Sequence, residues 1–165
     1  MRIRIGFGFD VHQLAEQEPF WLGGIKLPHD RGAVGHSDAD VLIHAVCDAL
    51  LGAAGLQDIG NQFPNTDPKL KGIDSKVLLS EVMTLLSEQN YQVGNVDITI
   101  CLEKPKIAPY LDEMKAVMAP ILGISAADLS IKATTNEQLG YIGREEGVAA
   151  YAVVLIERIG EADEA

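Results

Sequence analysis

The chain has 165 residues, 47% of them apolar and 22% charged, so its size fits one globular domain with a real hydrophobic core. Its formal net charge of −11 argues against nucleic acid and against an anionic membrane as partners, because neither would attract an acidic surface. Two cysteines without metal-ligand spacing, no export signal and no apolar stretch long enough to cross a bilayer lead us to expect a cytoplasmic location.

The N-terminal segment alternates large apolar residues with small or polar ones, which predicts a β-strand over about residues 2–9. One face of this strand carries Ile3, Ile5, Phe7 and Phe9, and the other continues through Gly6 and Gly8 to Asp10 and His12. Residues two apart on a strand face the same way, with Cα atoms roughly 6.6–7 Å apart, so Asp10 and His12 can converge on one cation. The same pair also suits a strand end with two solvated polar residues.

A long apolar segment after residue 35 predicts the central helix of the fold. Ser37 and Asp40 form a capping pattern, which places the helix from about residue 38 to between residues 52 and 55. His44 and Asp48 are its main polar residues and lie one above the other at i, i+4 spacing. His44 is either a core histidine bonded to a backbone carbonyl or a third ligand beside Asp10 and His12. Three nitrogen and oxygen ligands with an open fourth position are typical of catalytic zinc.

The remaining elements predict an α+β domain. Residues 20–27 are expected to return as a strand beside the first, residues 28–35 and 58–68 to form loops, and residues 136–146 to form a polar segment. Helices are predicted over residues 74–90 and 107–122, and strands over residues 93–102, 129–135 and 148–158. This order favours a four-stranded mixed or antiparallel sheet with helices packed on one face, in a single domain over residues 1–158. The acidic tail, residues 159–165, is expected to fray, and the bare sheet face is expected to self-associate.

Two further segments carry groups suited to phosphate. Thr134 and Thr135 end a predicted strand two residues before Glu137, so their hydroxyls and the carboxylate could bind phosphate oxygens and a hard cation such as Mg²⁺. A plain turn rich in threonine and asparagine is the other interpretation. Arg144 lies in a glycine-punctuated loop and is a bidentate phosphate donor by type, although most surface arginines are simply solvated.

Several motifs spread over essentially the whole chain carry a family resemblance. They are G-F-D-V-H ending at His12, H-S-D-x-D from His36, A-L-L-G-A-A in the central helix, D-I-G from Asp58, F-P-x-T-D-P from Phe63, and K-A-T-T-x-E-x-L-G-x-x-G-R ending at Arg144. Together they resemble the 2-C-methyl-D-erythritol 2,4-cyclodiphosphate synthase family of the non-mevalonate isoprenoid pathway. The resemblance implies a homotrimer with its active sites between subunits.

The resemblance also implies a reaction and its metals. The 2-phosphate of 4-diphosphocytidyl-2-C-methyl-D-erythritol 2-phosphate would attack the β-phosphorus of the CDP moiety, releasing CMP and the cyclic diphosphate. Asp10, His12 and His44 match zinc ligands, one divalent ion per subunit, and Glu137 resembles a ligand of a second cation, Mg²⁺ or Mn²⁺. His36 and Thr135 match positions that stabilise the transition state.

The residues that match substrate contacts of the family are Asp10, Val11, His12, His36, Ser37, Asp58, Ile59, Gly60, Phe63, Pro64, Asn65, Thr66, Asp67, Leu102, Glu103, Lys104, Pro105, Lys106, Ile107, Ala108, Thr134, Thr135, Asn136, Glu137, Tyr141 and Arg144. By the same resemblance Ser37 would adjoin the substrate phosphate, and residues 102–108 match a cytosine-binding segment. The sequence departs from the family pattern at Glu103, Lys104 and Tyr141. Two rival hypotheses are a zinc phosphohydrolase with another substrate and a non-catalytic trimeric nucleotide-binding module.

Overall fold

The computed structural model describes residues 3–64 and 66–160, so the predictions for Asn65 and for residues 161–165 lie outside the described residues. The strands are Ile3–Glu16 (β1), Phe20–Leu22 (β2), Ile25–Leu27 (β3), Arg31–Val34 (β4), Tyr91–Cys101 (β5), Leu129–Thr134 (β6) and Gly147–Arg158 (β7). The helices are Val41–Ala54 (α1), Ile59–Gln62 (α2), Ser75–Glu88 (α3), Leu111–Leu122 (α4) and Gly140–Gly143 (α5).

The main sheet is mixed, and its strand order is β4-β1-β7-β5-β6. Within the described residues, β5 and β6 form the one parallel pair of this sheet, whereas β1 pairs antiparallel with β4 and β7, and β5 pairs antiparallel with β7. The α+β class and the mixed sheet are confirmed, whereas the predicted count of four strands is wrong, because the described sheet has five. The additional strand is β4, which lies in the segment predicted to be a loop.

The alternation of β1 sets how closely the central helix approaches the sheet. A Cβ atom added at Gly6 would lie 1.8 Å from the carbonyl oxygen of Ala49, and one at Gly8 would lie 1.9 Å from that of Ala45. The two glycines therefore leave room for the backbone of α1, which crosses β1 at this point. The helix backbone fills the space that these two glycines leave on this face of β1.

The opposite face of the sheet is apolar and uncovered in one chain. Ile3, Ile5, Phe7 and Phe9 are between 41% and 71% exposed, as predicted from the alternation. Tyr151 and Val153 of β7 add to this face, and the Phe9 and Tyr151 rings lie 5.0 Å apart between centroids. An apolar surface of this kind marks an interaction site rather than a solvated face.

Residues 20–27 do not return beside β1 as predicted. They form a separate two-stranded hairpin, β2 and β3, with Gly23 and Gly24 in its turn. Both glycines have positive φ, and their N–H groups donate to the two carboxylate oxygens of buried Asp40, at 3.0 and 2.7 Å. Asp40 also accepts from the Ile43 N–H at 3.1 Å and is the N-cap of α1, so one carboxylate joins the hairpin to the helix.

Helix α1 is the centre of the core. Ten of its fourteen residues are buried, and Gly55 ends it in the left-handed conformation. Its cap is Asp40 rather than the predicted Ser37, and the segment after Asp58 contains the short helix α2 where we expected only loop. Helices α3 and α4 occur close to their predicted bounds, with Asp74 and Gly123 at their respective N- and C-terminal caps. None of the helices in the described parts of the chain could span a bilayer.

Candidate active site

Asp10, His12 and His44 converge as the sequence predicted. The Asp10 Oδ2 lies 3.0 Å from the Nε2 of His12 and 3.0 Å from the Nδ1 of His44, and these two nitrogens lie 3.1 Å apart. Strand β1 supplies the first two residues on its helix-covered face, and α1 brings the third over them. Among the described residues, this is the one group of three ligating side chains close enough to share a metal ion.

The hydrogen bond on the far side of His12 decides which of its nitrogens faces the cluster. Its Nδ1 lies 3.0 Å from the Val34 carbonyl oxygen, which can only accept, so Nδ1 carries a proton. In a neutral imidazole the Nε2 is then a bare acceptor pointing at the Asp10 carboxylate. Two acceptors at 3.0 Å repel unless a proton or cation lies between them, so the donor set fits a divalent metal ion.

The electrostatics of the three side chains also favour a cation at this position. Burial alone would raise the pKa of the Asp10 carboxyl, but hydrogen bonds and charge from His12 and His44 lower it to about 2. Burial alone would lower the pKa of His12, but the Asp10 hydrogen bond and charge raise it above its ordinary value, with the Val34 carbonyl contributing. The cluster therefore favours a positive charge at its centre, which is the property that a cation site requires.

A cavity of about 390 Å³ opens beside the cluster, between α1, the segment after it and the start of α3. Eight of its lining residues are predicted substrate contacts, namely His12, His36, Ser37, Ile59, Gly60, Phe63, Pro64 and Thr66. His36 is exposed at its edge, with its Nε2 3.4 Å from the Asp67 carbonyl oxygen. The structure thus brings together the metal ligands and two stretches of the sequence that the motifs singled out.

Asp48 has a role that the sequence did not predict. Its carboxylate accepts the Ile59 N–H at 2.8 Å and so ties the start of α2 to α1. Burial, followed by the nearby charges of Asp58 and Asp10, raises the pKa of Asp48 above its usual range. The N-cap Asp40 and the α1 residues His44 and Asp48 follow one another at intervals of four residues. Asp40 holds the hairpin, His44 joins the metal cluster, and Asp48 positions the wall of the cavity.

The other predicted contacts lie in two loops that we call the β5–β6 loops, residues 102–108 and 134–138. The parallel pairing of β5 and β6 places both loops at the same end of the sheet. Glu103 links them, because its Oε1 accepts the N–H groups of Asn136 and Gln138 at 2.9 and 3.2 Å. Glu103 is thus a structural tie between the loops. Thr135 and Glu137 are exposed there.

The sheet register separates the β5–β6 loops from the metal cluster within one chain. Val11 lies opposite Ala149, Ala149 opposite Cys101, and Cys101 opposite Thr134, in a row that crosses β1, β7, β5 and β6. Three strand spacings of about 4.8 Å make roughly 14–15 Å between the ends of this row. None of the described residues of the β5–β6 loops lines the cavity beside the cluster.

Tyr141 and Arg144 lie in a third place, near the start of β7. Tyr141 borders a shallow pocket with Val11 and Gly147. The Arg144 guanidinium forms two hydrogen bonds of 2.9 Å with the Glu146 carboxylate, which raises the pKa of Arg144. A phosphate would have to compete with Glu146 for this arginine, so its predicted role as a substrate contact stays a prediction.

Two residues beside His44 were also missed from the sequence. The His44 Nε2 lies 2.9 Å from the Ser75 hydroxyl oxygen and 3.1 Å from that of Ser37, and Ser75 in turn contacts the Asp38 carboxylate. The available signals were the N-cap pattern at Asp74 and Ser75 and the first acidic residue of the H-S-D-x-D motif, Asp38. Neither indicates that α3 packs its first residue against His44, because that contact is long-range.

Comparisons with known proteins cover nearly the whole chain. The model of the YgbB family matches residues 3–157. The 2-C-methyl-D-erythritol 2,4-cyclodiphosphate synthase of Bacteroides fragilis is 57% identical over 159 residues, which are 96% of this chain and 100% of that protein. The structure of a 2C-methyl-D-erythritol-2,4-cyclodiphosphate synthase in a CDP-bound form has a TM-score of 0.87 and 36% identity, covering 93% of this chain and 100% of that one.

The bifunctional IspDF of Campylobacter jejuni has a TM-score of 0.91 and 39% identity over 95% of this chain. The present chain spans only 42% of that larger protein. The fold is therefore found both as a whole chain and as part of a longer one.

Proposed function

The chain belongs to the YgbB family, and on that premise we propose that it converts 4-diphosphocytidyl-2-C-methyl-D-erythritol 2-phosphate to 2-C-methyl-D-erythritol 2,4-cyclodiphosphate and CMP. An enzyme of this kind is a lyase that forms a ring. The 2-phosphate oxygen forms a new bond to the β-phosphorus, and the bond from that phosphorus to the oxygen bridging to the α-phosphate breaks. CMP leaves with the bridging oxygen, and no water is consumed.

The observation that carries the proposal is the cluster of Asp10, His12 and His44 at the mouth of a cavity lined by the matched motifs. Intramolecular attack between two phosphates demands positioning and charge neutralisation more than covalent chemistry. The cavity supplies a bounded space for the methylerythritol end, and Ser37 at its wall supplies a hydroxyl donor for a phosphate oxygen. The exposed His36 supplies an imidazole at the cavity edge.

We propose zinc as the ion held by the three ligands, because two histidines and one carboxylate with an open fourth position suit zinc better than a hard cation. A bound zinc would act there as a Lewis acid toward a phosphate oxygen. We further propose that Glu137 contributes to a site for Mg²⁺ or Mn²⁺ on the diphosphate, and that the β5–β6 loops hold the cytidine. In support, a relative of this fold has been solved with CDP.

We also propose that the protein is a homotrimer with each site formed by two subunits. The exposed apolar face on β1 and β7 supplies a surface for association, and closed symmetry would bury it. The separation of the metal cluster from the β5–β6 loops within one chain supports a shared site. In that arrangement Thr135 and the cytidine-binding loops of one subunit face the cluster of its neighbour. Residues 1–158 would be the catalytic domain.

The experiment is to incubate the protein with the diphosphocytidyl substrate and Mg²⁺ in ¹⁸O-labelled water and to follow both products by chromatography and mass spectrometry. We expect equal amounts of CMP and the cyclic diphosphate, without ¹⁸O in either. Label in a linear product would instead support the zinc phosphohydrolase, and CDP binding without turnover would support the nucleotide-binding module.

The matched controls are Asp10→Asn and His44→Ala, which remove metal ligands while leaving the apolar surroundings in place. We expect each variant to lose turnover and zinc together, as measured by elemental analysis, with a far-ultraviolet circular dichroism spectrum like that of the wild type. Full zinc occupancy in both variants would contradict the assigned ligands even if the product assay succeeded.

A further inference from the structure

Ser75 is a fully buried residue at the start of α3 and lies between His44 and Asp38. Its hydroxyl oxygen lies 2.9 Å from the His44 Nε2 and is hydrogen bonded to the Asp38 Oδ1. The backbone N–H of Ser75 donates to the other oxygen of the same carboxylate at 3.0 Å. Three segments of the chain therefore meet at the nitrogen of His44 that faces away from the metal cluster.

The direction of each hydrogen bond between His44, Ser75 and Asp38 follows from the chemistry of these three groups. An ionised carboxylate accepts hydrogen bonds and donates none, so the single hydroxyl proton of Ser75 goes to Asp38. The Ser75 oxygen is then available to accept, and the His44 Nε2 must supply the proton. A neutral imidazole with its proton on Nε2 has a bare Nδ1, and it is Nδ1 that lies 3.0 Å from the Asp10 Oδ2.

We propose that Asp38 and Ser75 form a relay that holds His44 in the tautomer able to bind the metal, and that this relay sets the metal affinity of the site. This inference rests on the metal site of the proposed function. Asp38 and Ser75 are positioning residues, since they act through His44. Partners of this kind fix ring orientation and ligand basicity, and their loss typically weakens metal binding about 10–100-fold.

The two histidine ligands differ in how their far side is held. His12 donates to the Val34 carbonyl, which the pairing of β1 with β4 places there whatever the side chains are. His44 depends on side chains from the loop before α1 and from α3. Substitutions can therefore disturb the tautomer of His44 alone.

The Ser37 hydroxyl is a weaker competitor for the same nitrogen. It lies 3.1 Å from the His44 Nε2 and already accepts the Ala39 N–H at 3.1 Å. Its role is compatible with the relay, because a second acceptor for the Nε2 proton favours the same tautomer. It also leaves the hydroxyl proton of Ser37 free to donate to a phosphate oxygen, as the proposed reaction requires.

The test measures zinc affinity with the metal ion alone, by competition against a chromophoric chelator, in the full-length protein. Ser75→Ala should bind zinc about 10–100-fold more weakly than the wild type. Asp38→Asn should lose at least as much, because an amide N–H₂ facing Ser75 turns the hydroxyl toward His44 and places the imidazole proton on Nδ1. If Ser75→Ala does not fold, the zinc affinity of Asp38→Asn is the test of the relay.

Two controls separate the relay from damage to α3. Asp74→Ala removes the neighbouring N-cap carboxylate, which accepts from Lys76 N–H at 2.9 Å, and Ser80→Ala removes an exposed hydroxyl of the same helix. Both should keep wild-type zinc affinity, although Asp74→Ala lowers stability. If Asp74→Ala weakened zinc binding as much as Ser75→Ala, the loss would come from the helix start, and the relay would be refuted.

A spectroscopic readout reports the tautomer directly. In ¹⁵N-labelled zinc-loaded protein, the His44 Nε2–H should give a slowly exchanging proton signal, and Ser75→Ala should expose it to exchange. If Ser75→Ala and Asp38→Asn both bound zinc as tightly as the wild type, the relay would be refuted, but the proposed function would stand. Wild-type protein that binds no zinc would overturn the proposed metal site, and the relay with it.

Discussion

Gly8→Ala should destabilise the protein strongly, because α1 touches the backbone of β1 at this residue. The added Cβ would lie 1.9 Å from the Ala45 carbonyl oxygen and 2.6 Å from the Ala49 nitrogen. Reaching the 3.4 Å of an ordinary contact requires α1 to recede by about 1.5 Å, and a close-packed core resists such a shift. The obstacle is backbone, so no side-chain rotation can relieve it.

Overpacking a core typically costs about 1–3 kcal/mol, and the contact with backbone places this variant at about 3 kcal/mol or more. For a domain of this size, that loss lowers the melting temperature by roughly 6–12 °C. His44 precedes Ala45, so the same shift moves the His44 Nδ1 away from its 3.0 Å contact with Asp10. Zinc affinity should therefore fall together with stability.

The assay is urea denaturation at fixed protein concentration, together with zinc titration of the folded protein. Gly52→Ala is the matched control, since a Cβ there meets nothing within 4 Å and the residue lies in the same helix. It should raise stability by up to about 1 kcal/mol through helix propensity. If Gly8→Ala stayed within about 0.5 kcal/mol of the wild type, the inferred close approach of α1 to β1 would be wrong.

Three further predictions concern the site. Thr135→Ala should lower kcat with little change in CDP affinity, whereas Thr134→Ala should affect kcat less. Steady-state kinetics and CDP titration measure the two quantities, and a change in KM alone would contradict transition-state stabilisation by Thr135. Mixing His44→Ala and Thr135→Ala subunits should restore about a quarter of wild-type activity. Random exchange gives roughly three mixed trimers in every four, and each mixed trimer has one intact site of three. If native mass spectrometry showed exchange but no activity returned, each site would be built within one chain. Asp48→Ala should raise KM about tenfold, because the Ile59 N–H loses a charge-assisted hydrogen bond worth about 1.5–3 kcal/mol. An unchanged KM would show that the hydrogen bond from Ile59 to Asp48 does not hold the cavity wall.

The sequence by itself was sufficient for the local part of this structure. Alternation in β1 separates the exposed Ile3 and Phe7 from Asp10 and His12 on the helix side, because side chains of a strand alternate between faces. An apolar segment with one polar residue per turn on one stripe predicts both α1 and the inward direction of His44. The chemistry of Asp10, His12 and His44 then indicates them as candidate ligands of one cation.

The sequence also failed in specific places, each involving partners distant along the chain. The segment before α1 reads as loop, yet Arg31–Val34 pairs with the far end of β1 and supplies the carbonyl that orients His12. Residues 20–27 have the pattern of a strand, yet they pair with themselves as a separate hairpin, and its turn at Gly23 and Gly24 is held by the distant carboxylate of Asp40. Periodicity reports which face a residue occupies and leaves its pairing partner open.

The tertiary structure alone decided how far the metal cluster lies from the β5–β6 loops within one chain, and which groups lie behind His44. The strand order places β7 and β5 between the metal cluster and the β5–β6 loops, a separation that no periodicity in the sequence indicates. The packing of α3 on α1 brings Ser75 and Asp38 to the far nitrogen of His44, a contact across 31 residues of chain between His44 and Ser75. Such contacts arise because the burial of apolar helix faces fixes the positions of the polar residues on the same helices. A hydrogen bond between residues this far apart along the chain produces no periodic pattern in the sequence.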